Sequence, residues 1–518
     1  MNRLLGLAAG LLVLTALAYW YYEQTERRQR SAEAMQAELA EFLTAQGARY
    51  GALTYDRDSN SVAVTDIAWT QEAGGMARHL TLERAEIVGG DIEAFRTVFK
   101  PASYSPDDAR VGDFLKLAAA IDLRGLELTH AEGAVSLSRF HLDAPAMRQF
   151  GFLPSRQGLE KAGAAFVTGD IGSALKFDKG RLEDLRITRG KTETFAVASL
   201  ELGTFDAHKL GQLAVTGVAV EGDGMSATLD GLAVTNLALQ HWLGALKSGA
   251  LSFSEGALAA GAWTKGRGSA FDALKLIGFR LAGQEGKARF SVEEASLSDL
   301  VRVGELVAAG NLRITGLEYP VRGEAPWSKD LKEMGYDKLR LNLVSRSTYN
   351  PDTKISETEE FMVEVENAGR IFGSSRLQNV EIGDELRELD LEGLVAGGGL
   401  ERMLGTWRLA RLELGYKDLS LVERAYALAL RRLGKSPDAL TQEYIAQLEA
   451  LREQHGNGPF LTSLSEQMKI FLDEPNTIVF RMVPPEPVVL GQIVIAGFEN
   501  PEELAKMLGL TVVATPAE

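Results

Sequence analysis

The sequence predicts an α+β chain that is predominantly β: an N-terminal transmembrane helix, an elongated, twisted antiparallel sheet with bulges and short covering helices, and a mixed α/β C-terminal unit. Three observations carry that prediction. A charge-free apolar run fills residues 4–22, an interrupted strand phrase recurs from Val62 to Tyr319, and helical periodicity dominates from Leu419 to Leu472. The composition suits a core-forming chain: of 518 residues, 45% are hydrophobic and 24% charged, with 53 glycines and 15 prolines. High glycine with low proline fits many strands joined by glycine turns.

Residues 1–22 read as a signal-anchor. The run LLGLAAGLLVLTALAYWYY holds 19 residues, and at ~1.5 Å per residue it spans the ~30 Å hydrocarbon core of a bilayer. Leu4, Leu11 and Leu14 supply the apolar body, while Tyr19, Trp20 and Tyr22 stand at the C-terminal end, where amphipathic rings favour the headgroup layer. A cleaved signal peptide is the competing reading, because Ala16-Leu17-Ala18 fits a small-residue cleavage pattern. Continuation of the helix through residues 23–48 and the aromatic cluster favour the uncleaved anchor. Arg27, Arg28 and Arg30 after the span lean towards a cytoplasmic body, whereas the short basic n-region with Arg3 reads as an export signal. Export to the periplasm is the expectation.

Residues 49–320 read as a strand array. VAVTDIAW, IDLRGLEL, VSLSRFHL, LAVTGVAV, LAVTNLAL, LKLIGFRL and LRITGLEY all alternate apolar and polar residues, then change phase at the fifth position. A bulge, or a strand passing between two sheets, absorbs such a change. Gly125, Gly217, Gly278, Gly316 and Asn236 therefore mark bulges or bends, since glycine and asparagine accept a positive φ. Short helices are predicted after Ser105-Pro106, over Ala144–Phe150, over Leu239–Lys247 and over Ser298–Ala308.

Residues 321–518 read as the C-terminal α+β domain, entered through the proline-containing junction 318–335. The phrase GYDKLRL at Gly335 returns as GYKDLSL at Gly415. A meander is expected over 337–348, 355–366 and 370–382, then helices from Leu419 to Leu472 broken near Gly434 and at Asn457-Gly458-Pro459. Strands over 477–483, 488–495 and 510–514 follow, with a short helix capped by Asn500 before the last.

Chemistry is sparse. A net charge of −16 lacks the basic footprint of a nucleic-acid partner, and the absence of cysteine removes disulfides, thiolate metal sites and thiol nucleophiles. The six histidines include no pair spaced four apart for zinc on a helix, although His130 and His141 share a predicted hairpin. Gly397-Gly398-Gly399 reads as a loop, and Asp56-Arg57-Asp58 as a turn, because the calcium-loop pattern fails at Ser61 and Ile67. Glu357, Glu359, Glu360, Glu364 and Glu366 read as a solvated strand face, with cation binding as the alternative. No catalytic, cofactor-binding or metal-ligating residue is singled out, and a non-enzymatic protein without cofactor is expected.

The anchor, the phrase Tyr50-Gly51-Ala52-Leu53-Thr54-Tyr55-Asp56 and the repeated LxVxGLxV strands resemble the AsmA-like and YdgA-like envelope proteins of Gram-negative bacteria. The later TYNPDTKISETEEFMVEVENAGRI and FLDEPNTIVFRMVPPEPVVLGQI are similar to an uncharacterised proteobacterial branch of that group. The resemblance implies one inner-membrane anchor and a periplasmic β body. It leaves two roles open: a structural or assembly factor binding another envelope protein, and a module whose apolar groove binds phospholipid. A hydrolase of envelope polymer is the third and weakest reading.

Overall fold

The computed structural model describes most of residues 47–91, 113–148, 175–238, 271–381 and 404–516, together with positions 40, 43, 44, 94 and 98. The anchor residues Leu4, Leu11, Leu14, Tyr19, Trp20 and Tyr22 lie outside the described residues, as do Ser105-Pro106, the segment 239–247 and the glycines at 397–399. Among the described residues, no helix is long and apolar enough to cross a membrane.

The chain is predominantly β and antiparallel, and its strands fall into two compact units. The first unit contains β1 (Leu53–Asp56), β2 (Ser61–Ala73), β3 (Met76–Val88), β4 (Leu115–Lys116), β5 (Ala120–His130), β6 (Gly133–Asp143) and β7 (Ala146–Met147). It continues with β8 (Leu175–Phe177), β9 (Lys179–Arg189), β10 (Glu193–Leu202), β11 (Phe205–Asp206), β12 (Lys209–Gly222) and β13 (Met225–Ala238). The long strands pair in the order β1-β2-β3-β5-β6-β9-β10-β12-β13. Strand β14 (Ala273–Ala282) is divided between the units.

The predicted phase changes are real, and their mechanism is collective. Gly125, Gly217, Gly278, Gly316 and Asn236 all have positive φ, as do Asp66, Asp184 and Asp299 at matching places in their strands. In the first unit the register passes through the phase change unbroken. Thr65 pairs with Arg84 and Ile67 with Leu82; Arg84 pairs with Arg124 and Leu82 with Leu126. The same holds from Ser199 and Val197 of β10 to Thr216 and Val218 of β12. Each strand spends its extra residue on one transverse row running Asp66, Glu83, Gly125, Ser138, Asp184, Ala198, Gly217, Asp230. Alternate members take φ of 52–62°, and their neighbours lie over them; a β-carbon at Gly125 would overlap the Glu83 side chain.

The consequence is a core that survives the change of phase. Residues three apart reach the same face, so Val64 with Ile67, Leu82 with Ala85, Leu123 with Leu126 and Leu182 with Leu185 all join one buried cluster. In the first unit the phrases at Gly125 and Gly217 therefore mark one shared crease, whereas the phrase at Gly316 falls on a register shift between Ile314 and Leu317. The same three-residue step explains a correction: Ser298–Ala308 is two strands instead of a helix. Leu297, Leu300 and Val301 mimic helical spacing, while Asp299 takes a φ of 52°. Leu115–Lys116 and Ala146–Met147 are also strands, β4 and β7, instead of helical, and Ala144 takes a φ of 48°.

The second unit contains β15 (Ala288–Val303), β16 (Leu306–Pro320), α1 (Pro326–Glu333), β17 (Lys338–Asn350), β18 (Ile355–Val365), β19 (Gly369–Gln378) and β20 (Arg408–Asp418). Then come α2 (Leu421–Leu433), α3 (Pro437–Gln454), α4 (Pro459–Asp473), β21 (Thr477–Met482), β22 (Val488–Val489), α5 (Leu490–Glu499), α6 (Pro501–Leu508) and β23 (Leu510–Thr515). Strands pair in the order β15-β16-β17-β18-β19-β20-β21-β23, with β22 also on β20. The meander, the three helices and the Asn500 cap match the sequence pattern; Asn500 Oδ1 accepts the Glu502 and Glu503 amides at 3.0 and 3.4 Å. The expected strand 488–495 is instead two strand residues and α5, because a short run whose only polar side chain is Gln492 carries too little period to separate the two states.

Candidate functional site: an open apolar sheet face

The second unit's sheet is two-faced. Ile314 lies opposite Ala295 and Leu343, Leu343 opposite Val363, Val363 opposite Ile371, and Ile371 opposite Tyr416. One row along, Leu312 lies opposite Leu297, and Phe361, Gly373, Leu414, Phe480 and Val512 follow in register. Strand side chains alternate between faces, so both rows share one side. The opposite side is charged: Arg340 bridges Glu293 at 2.5 Å and Glu366 at 3.0 Å, Lys338 meets Glu318 at 2.8 Å, and Arg481 meets Glu413 at 2.9 Å.

Cover on the apolar side is uneven. Over β21, β23 and the Tyr416 end of β20, helix α4 closes it: Phe471 is buried with Ile478 and Val512, and its ring meets Tyr416 edge-on at 5.9 Å. Towards the far end of the strands, Leu377, Leu409, Leu412, Val488 and Leu508 pack together beneath α5 and α6. Between these clusters the rows stay open. Leu312, Ile314, Leu343, Phe361 and Val363 are half-buried, while Ile371 and Leu414 are 45% and 44% exposed. Leaving large apolar side chains partly in water forgoes roughly 1 kcal/mol each.

The densest polar arrangement is in the first unit. Asp122 is buried, and its carboxylate accepts from Arg124 Nε at 2.6 Å and Arg139 Nε at 2.7 Å, with His141 Nδ1 at 3.0 Å. The other ring nitrogen of His141 lies 3.0 Å from Asp143 Oδ1. Burial pushes the Asp122 carboxyl up, but the hydrogen bonds from Arg124, Arg139 and His141 and the charge of Arg139 outweigh it and hold the group below the usual carboxylate range. A carboxylate held by three donors is a poor general base, and its position between adjacent strands makes it a clamp on the β5–β6 pair.

The remaining polar residues resolve simply. His130 and His141 occupy opposite ends of their hairpin, across from Gly133 and Asp122 respectively, so they do not meet. His79 Nδ1 faces Thr70 Oγ1 at 3.0 Å, and His208, His241 and His455 lie outside the described residues. Asp56 closes a turn, accepting from the Asp58 amide at 2.9 Å and the Ser59 hydroxyl at 2.7 Å. Among the described residues, no group of three or more histidine, aspartate or glutamate side chains is arranged to hold a metal ion. The Asp122 cluster was readable as polar residues at alternate positions of two adjacent strand phrases; the open face was not, because cover is decided by distant helices.

One protein-family profile, described only as "Uncharacterized protein", matches residues 362–515. That stretch holds β19 to β23 with their helices, and it includes the half of the apolar face that α4 covers. No curated protein matches the chain.

Proposed function

We propose that this is a non-enzymatic protein of a Gram-negative cell envelope, related to the AsmA-like and YdgA-like group. In this reading residues 4–22 anchor it in the inner membrane, the body lies in the periplasm, and the second unit is a binding module. The observation that carries the proposal is the open apolar face of β16 to β20, with Ile371 on β19 and Leu414 on β20 at 45% and 44% exposure. A monomer rarely leaves contiguous apolar surface beyond a few hundred Å² in water without a use for it. The occupant that fits best is a lipid acyl chain, which needs apolar contact and no directed hydrogen bond. The test is photo-crosslinking of the full chain with a diazirine-bearing fatty acid in bilayers. Labels on β16 to β20 that fall several-fold in Leu343→Glu support the reading; labels confined to residues 4–22 overturn it.

A second reading, an assembly factor binding another envelope protein through its helices, draws on a separate observation. Helix α2 buries none of its residues, with its Leu433 and Leu430 65% and 48% exposed, and Tyr444 on α3 is 50% exposed. Crosslinking from Leu433 in cells, yielding one reproducible protein partner, supports that role, and its failure in repeated trials counts against it.

A further inference from the structure

The charged face of the second unit carries a cavity of about 530 Å³ with Arg370 and Lys417 at one end and, at the other, Glu359, Glu360 and the Arg481-paired Glu413, with Arg411 beyond them. Its floor is apolar. Met362 and Phe372 are cross-strand partners there, and the Phe372 ring occupies the space that a side chain at Gly415 would fill. On one wall Arg370 and Lys417 are cross-strand partners. On the other wall stand Glu359 and Glu360, at the place where the β18–β19 register shifts between Thr358 and Phe361. The bulge explains why these adjacent glutamates are both exposed: it breaks the alternation that would otherwise send one of them to the apolar side.

The walls are free to bind. Arg370 is engaged by Glu364, with Nε at 2.6 Å, whereas Lys417, Glu359 and Glu360 make no ion pair among the described residues. Four residues along β19 separate the walls, or roughly 13 Å. An extended peptide of about four residues has the same reach between its ammonium and carboxylate groups. We propose that this cavity binds a short extended peptide by its two charged ends. The N-terminal ammonium meets Glu359 and Glu360, the C-terminal carboxylate meets Lys417 beside Arg370, and the backbone crosses Phe372. Each end forms charge-assisted hydrogen bonds, so recognition is by chain ends rather than by sequence. The site is on the opposite face from the apolar rows and does not depend on what occupies them.

The experiment is a calorimetric titration of the full chain with tetra-alanine, in three forms: free ends, N-acetylated and C-amidated. Saturable binding of the free form is expected, weakened about tenfold or more by either cap. Lys417→Gln should abolish discrimination against the amide while preserving discrimination against the acetyl group, and Glu360→Gln should do the reverse. Both residues lie at the surface of the cavity, so the variants keep the fold, which far-ultraviolet circular dichroism checks. No saturable binding at millimolar peptide, or equal binding of capped and free forms, overturns the proposal.

Discussion

The two units build antiparallel sheets from the same kind of strand and end with different cores. In the first, twelve strand side chains and Leu43 form one large buried cluster that includes Leu137 at 2% exposure, and Leu142, Phe177, Phe205, Leu210, Val234 and Leu237 form a second. In the second, the corresponding apolar rows break into separate clusters, with Ile371 and Leu414 left half in water between them. The difference lies in how the phase changes are distributed. A shared crease keeps every strand in register and lets one face stay apolar throughout. In the second unit the shifts fall strand by strand, between Ile314 and Leu317, between Arg346 and Ser347, and between Arg376 and Leu377. Local shifts divide the face, and the helices then cover only part of it.

Substitutions in matched positions sharpen this contrast. Leu137→Ala in the first unit should cost about 3–4 kcal/mol through lost transfer energy and a cavity, whereas Ile371→Ala should cost well under about 1 kcal/mol. Chemical denaturation followed by circular dichroism measures both. Equal costs would erase the distinction between a closed and an open face. Next in size is the crease itself: Gly125→Val places a branched side chain at a φ of 62° against Glu83, which should cost about 2–3 kcal/mol. Gly125→Asn should recover only the part due to the positive φ, because asparagine tolerates the left-handed region while its β-carbon still meets Glu83.

The Asp122 clamp should contribute less, and its pH dependence has a definite sign. The folded-state carboxyl titrates below its ordinary range, so its contribution is present above the unfolded pKa of about 3.9 and is lost as pH falls through the lower folded value. Asp122→Asn should therefore cost about 1–2 kcal/mol at neutral pH and flatten the acid limb of the stability curve below about pH 4. An unchanged acid limb would remove the clamp from the account. The smallest effect expected is at the N-cap of α6, where Asn500→Ala should cost about 1 kcal/mol, read as a small shift in the denaturation midpoint.

The parts of this fold that are legible in sequence are those written in local pattern. Asn236 and Gly217 stand out because a strand phrase changes phase at them, and Asn500 because Pro501 and Glu503 follow it. Asp66 and Asp184 are harder to pick out, since aspartate at a positive φ looks like any polar strand residue. Ser298 to Ala308 misleads for a physical reason: a three-residue step between apolar side chains belongs equally to a helix and to a creased strand. The open face at Ile371 is invisible in its own strand, where Ile371 and Phe372 read alike. Its exposure depends on α4 reaching Tyr416 of β20 and stopping short of Leu414 and β19, which no local pattern encodes.

The chain contains no cysteine, so single cysteines report directly on the contrast between the units. The decisive measurement compares maleimide labelling rates of Ile371→Cys and Leu126→Cys in the folded, unliganded full chain. The account predicts that the thiol at 371 reacts orders of magnitude faster than that at 126 and slows when a fatty acid is added. Equal protection of both thiols, or a rate at 371 indifferent to fatty acid, would contradict it.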